Sequence, residues 1–191
     1  MNRTCAARLS SGGRCGKPAS EPDLELRDVV CAECARRLTQ NRWRRAYHEA
    51  GRAVVLDHLG ARATALSLQA PGLLSTRTSL PLWSTLSAED RCVLMLAGSV
   101  AVELGAKTRP LAELDPSIGD PDLEYARRYA RSQVQDENAA ETYLQAVQLR
   151  AARLMADRRA SVEGLATALF ERLRFNANET AAIMATTATE D

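Results

Sequence analysis

From about Thr39 apolar residues recur at helical spacing, as Trp43, Tyr47, Ala50, Val54 and Leu56, and the run stops near Gly60. That periodicity predicts an amphipathic helix. Ala63 to Ala70 then alternates as Ala-Thr-Ala-Leu-Ser-Leu-Gln-Ala, a short-strand pattern that Pro71-Gly72 ends. Leu73 to Pro81 is rich in Ser and Thr and reads as a loop or an edge strand. Ser87, with Asp90 three residues on, is an N-cap for a helix running to about Leu104, where Gly105 stops it. Three prolines and two glycines from Gly105 to Pro121, counting both ends, make the stretch between them a loop. Helices follow over Pro121 to Arg131, Glu137 to Arg159 and Val162 to Arg174, and Asn178-Glu179 opens a last short one carrying Ile183 and Met184.

Composition agrees with a mainly α protein containing a small β element. Alanine supplies 33 of the 191 positions and aromatic residues only 4%, which favours helices over sheets. The length suits one moderate domain with a small appendage. The organisation expected is a head over residues 1–38, a helical body over 39–186 and a disordered tail over 187–191. The chain has 25 Lys and Arg against 24 Asp and Glu, a net charge of +1, which argues against a broad nucleic-acid-binding coat. No segment reaches the roughly 18 apolar residues of a membrane span, and Met1 to Ser10 lacks a signal-peptide core. The expectation is a cytoplasmic protein without a membrane anchor.

Four of the five cysteines, Cys5, Cys15, Cys31 and Cys34, fall in the first 34 residues. An odd total without an export signal argues against a disulfide framework. Cys31-Ala-Glu-Cys34 has the C-x2-C spacing of a zinc knuckle, and Cys5 with Cys15 offers a looser second pair across Gly12, Gly13 and Gly16. Four such thiolates can hold a structural Zn²⁺, and a head this small would take much of its folding energy from the metal. A redox pair of Cys31 and Cys34, or no shared role, are the alternatives. Cys92 lies in an apolar run and reads as a buried thiol.

The second candidate is Tyr47-His48-Glu49-Ala50-Gly51-Arg52. A zinc-peptidase helix carries two histidines four residues apart on one face, with a glutamate that activates the metal-bound water. His48 and Glu49 occupy the first-ligand and base positions, but Arg52 stands at the second ligand, and arginine has no lone pair to donate. His58, the other histidine, is ten positions on and points about 80° away around the helix. On spacing alone, His48 is a partly buried histidine beside a surface glutamate.

The neighbouring residues resemble the protease domain of the FtsH family, peptidase M41. Tyr47-His48-Glu49-Ala50-Gly51 is similar to its signature helix, Leu96-Ala97-Gly98-Ser99-Val100-Ala101-Val102-Glu103-Leu104 to a second helix, and Gly119-Asp120-Pro121-Asp122-Leu123-Glu124-Tyr125-Ala126 to a third segment. Ala156 to Met184 is similar to the closing helices, so the resemblance covers about residues 40–186 in the family's order. It implies His48 as first zinc ligand, Glu49 as general base and Asp122 as distal carboxylate ligand, with departures at Arg52, Ser99 and Val102. No Gly-rich loop ending in Lys-Ser or Lys-Thr is present, so ATP hydrolysis has no site here.

The expectation is a catalytically impaired M41-like protein, a protein-binding or regulatory module with a structural zinc in its head, and Arg52 salt-bridged to Glu49 or Asp122 where the metal would be. Its peptide partner would pair with the Ala63 to Ala70 strand as an edge. The alternative is an active zinc metallopeptidase with Glu49 as base, His48 and Asp122 on zinc and a noncanonical ligand set. A nucleic-acid-binding role through the head and Arg42, Arg44 and Arg45 has weaker support. Oligomeric state is left open.

Overall fold

The computed structural model describes residues 4–7, 15–19, 21–23, 28–68, 76–78, 82–111, 120–134 and 136–187. Among these the chain is mainly helical, with a few short antiparallel strands. It divides into two compact units, Met1–Arg42 and Trp43–Asp191.

In the first unit, Cys5 N–H donates to the Lys17 carbonyl at 2.8 Å and Cys15 N–H to the Ala7 carbonyl at 2.9 Å, so the chain folds back on itself. Gly16 takes a left-handed backbone, φ +69°, which glycine adopts without a Cβ penalty. Strands β1 (Glu21–Asp23) and β2 (Asp28–Val30) pair antiparallel, Glu21 opposite Val30. Helix α1 (Ala32–His58) begins immediately afterwards. It starts seven residues earlier than the apolar pattern predicts. Among the described residues, the buried cluster here is Cys5, Ala7, Val30, Cys31 and Cys34, with Ala35 and Leu38 packed against it.

The second unit takes in the C-terminal part of α1, then β3 (Ala63–Ser67), β4 (Thr76–Thr78), α2 (Leu82–Thr85), α3 (Ala88–Ala106), α4 (Pro121–Gln133), α5 (Glu137–Asp157), α6 (Arg159–Arg172), β5 (Arg174–Asn176) and α7 (Ala177–Thr187). Helix starts are chemically specified. The Ser87 hydroxyl accepts from Asp90 N–H at 3.0 Å, as its sequence position predicts. Asp120 accepts from the N–H groups of Asp122 and Leu123, with Pro121 opening α4. Asp136 caps α5 through Ala139 N–H at 2.7 Å. Helix α7 begins at Ala177, one residue before the expected opening at Asn178, and its cap is Asn176. Its side chain accepts from Asn178 and Glu179 N–H, and Glu179 reaches back to Asn176 N–H at 2.9 Å, a reciprocal box. Helices α5 and α6 are separated by Arg158 alone.

Helix α3 packs against α4 and α5 around a core that includes Tyr47, Val54, Leu96, Leu144, Met155 and Leu165. Its approach to α1 depends on glycine. A Cβ on Gly51 would lie 2.4 Å from Ala101 Cβ and 2.5 Å from the Ala97 carbonyl oxygen. Cys92 is buried on α3, where burial pushes its thiol up.

The sheet order is β4-β3-β5. Strand β3 is therefore the middle strand, with Leu66 opposite both Thr76 and Phe175. This corrects the expectation that it offers a free edge to a peptide; its backbone groups are engaged on both sides. The pairing continues where Leu68 N–H donates to the Leu173 carbonyl at 2.7 Å, Leu173 ending α6 in a left-handed conformation. The expected strand residues Gln69 and Ala70 and the expected tail residues 188–191 lie outside the described residues, while Thr187 is helical. Among the described residues, no helix is long and apolar enough to cross a membrane.

Candidate functional site

The sulfurs of Cys5, Cys15, Cys31 and Cys34 all lie within 4.8 Å of one another, close enough to hold one metal ion. Cys15 Sγ and Cys31 Sγ are 3.8 Å apart. Each pair is set by local backbone. Cys5 and Cys15 are brought together by the two hydrogen bonds of the fold-back. Cys31 sits at the N-cap of α1, its carbonyl accepting from Ala35 N–H at 2.8 Å, and Cys34 lies one turn in. The Cys34 N–H donates to the Cys31 sulfur and, with the neighbouring thiols, lowers the Cys31 thiol to about 7. Burial pushes Cys34 up to about 12. Four sulfurs this close cannot all ionise unaided, and a cation is what removes that conflict. Outside the cluster, Lys17 and Glu33 form an ion pair.

In the second unit, His48, Arg52 and Asp122 converge, the first two from α1 and the third from the first turn of α4. Arg52 Nη2 donates to Asp122 Oδ1 at 2.8 Å, while His48 Nε2 faces Asp122 Oδ2 at 3.4 Å. The carboxylate is thus shared between two residues rather than gripped by one guanidinium fork. Oδ2 is buried without a hydrogen bond, since 3.4 Å is too long for a good one. Burial, helped by the Arg52 charge, lowers the His48 pKa and keeps the imidazole neutral. Burial raises Asp122, with Arg52 opposing. Glu49 is buried, 6% exposed, which corrects its reading as a surface residue. His58 ends α1.

No protein-family model matches this chain, and neither does any curated protein. Two positions of the site escaped the motif. A Cβ on Gly98 would lie 2.4 Å from the His48 ring, so glycine alone lets the imidazole lie against α3. Asp120 fixes the start of α4 and with it the Asp122 carboxylate. A glycine inside a helix costs about 1 kcal/mol relative to alanine, so Gly51 and Gly98 in apolar helical runs were the available signal.

Proposed function

We propose that this chain is a catalytically impaired relative of the M41 peptidases, with a structural zinc in its four-cysteine head and a body that acts as a protein- or peptide-binding or regulatory module. For the head, the supporting figure is the 3.8 Å between Cys15 and Cys31 sulfurs. Zinc–sulfur bonds of 2.3 Å in a tetrahedron give an edge of about 3.8 Å. Zn²⁺ would balance thiolate charge and cross-link the fold-back to the first turn of α1.

For the body, one observation carries the reading: Arg52, at the second-ligand position, holds Asp122 at 2.8 Å. A divalent ion on the same carboxylate would stand about 5 Å from that guanidinium and be repelled by roughly 7 kcal/mol at an effective dielectric of 20. Glu49 then has no metal-bound water to activate. Its burial beside His48 fits a retained packing framework. A peptide adding to the sheet would have to use β4 or β5, the outer strands.

A second reading, a working metallopeptidase, draws on the spacing of His48 Nε2 and Asp122 Oδ2. Their 3.4 Å matches the edge expected between two zinc ligands at about 2.0–2.1 Å. Zinc analysis separates the readings. The native chain is expected to hold one zinc, Cys31→Ser none, and Arg52→His two. One tightly held zinc in Cys31→Ser that His48→Ala removes, with peptide cleavage abolished by Glu49→Gln, would establish the peptidase instead.

A further inference from the structure

Three of the four head cysteines are buried: Cys5 is 1%, Cys31 6% and Cys34 5% exposed. Cys15 is only half-buried, and the residues that follow it, Gly16 and Lys17, are exposed. An oxidant therefore meets Cys15 first. The nearby Cys31 Sγ is 3.8 Å away, and a disulfide requires about 2.05 Å. Closing that gap falls to the Cys15 side. Gly16 next to it has φ +69° and open space where a Cβ would be, whereas Cys31 is fixed by the first hydrogen bond of α1.

We propose that the metal centre is peroxide-responsive: hydrogen peroxide joins Cys15 to Cys31 as a disulfide and thereby releases the ion. This rests on the metal-centre reading above. Coordination keeps both sulfurs as thiolates, and zinc takes no part in electron transfer. The Cys15 thiolate attacks one peroxide oxygen, the O–O bond breaks and hydroxide leaves, giving a sulfenic acid at Cys15. The Cys31 thiolate then attacks the Cys15 sulfur, the S–O bond breaks and a second hydroxide leaves. Two electrons pass from the thiolates to the peroxide, and the two hydroxides become water by taking up two protons from solvent. Cys5 and Cys34 remain, too few to hold a structural zinc. A thiol reductant reverses the change.

The test uses the full zinc-loaded chain treated with a few equivalents of hydrogen peroxide. Zinc release is followed with a chromogenic indicator, and disulfides are mapped by mass spectrometry of non-reduced peptides. The expected result is one equivalent of zinc released together with a Cys15–Cys31 disulfide, zinc rebinding after dithiothreitol, and the same response in Cys92→Ser. A Cys31–Cys34 disulfide, or zinc retained through peroxide treatment, overturns the inference while leaving the metal centre standing. A chain that takes up no zinc before peroxide is added overturns the metal centre itself and the inference with it.

Discussion

The imidazole of His48 lies against α3 because position 98 has no side chain. Gly98→Ala places a methyl 2.4 Å from that ring, and overpacking of this kind costs about 1–3 kcal/mol. The expected outcome is a lowered unfolding temperature together with a displaced His48 ring signal in NMR spectra. His48 also predicts a pH dependence. Its folded pKa lies below the ordinary 6.5, so the unfolded chain binds the proton more readily. His48 therefore favours the folded state fully above pH 6.5, and that contribution is lost as pH falls from 6.5 through the depressed folded value. Thermal melts from pH 8 to 5 are expected to show a smaller acid loss in His48→Asn than in the native chain. His48, Glu49 and Arg52 were legible in the sequence because a helical motif fixes their mutual spacing. Gly98 was not, because it meets the His48 ring from a helix distant in the chain, and Asp120 was not, because it holds Asp122 by capping α4 and has no place in the α1 motif.

Where the elements begin is written in hydrogen-bonding side chains. Ser87→Ala removes an acceptor from the first turn of α3 and is expected to cost about 1 kcal/mol. Asn176→Ala removes the side-chain acceptor of the box at α7 while the residue 176 N–H still reaches Glu179, and a comparable loss is expected in denaturant melts. The caps at Ser87 and the opening of α4 at Pro121 could be read directly. The true start of α1 could not, and the reason is chemical. From Ala32 to Leu38 the inward face consists of Cys34, Ala35 and Leu38, so thiol sulfur replaces much of the hydrocarbon that a periodicity search recognises. Strand β5 was hidden for a different reason. Three residues between two helices carry no alternation of their own, and the pairing with β3 defines them as a strand.

Taken over the whole molecule, the two units differ in what holds them. Among the described residues, the second has a continuous aliphatic and aromatic core, whereas the first buries Ala7, Val30 and its cysteines. Removal of the proposed zinc by a strong chelator is therefore expected to expose the first unit to proteases while residues 43–191 remain protected. Peptide mapping of the cleavage sites checks this, and early cuts spread through the second unit would contradict it. The central position of β3 governs when the second unit can be completed. Its partner at Arg174–Asn176 arrives more than a hundred residues after Ala63. At ribosomal speeds of 5–20 residues per second, that interval is roughly 5–20 s. Throughout it a nascent chain carries a strand with one side unsatisfied, an invitation to intermolecular pairing. Termination anywhere between Ser67 and Arg174 would make that transient exposure permanent and yield aggregates rather than a shorter native protein.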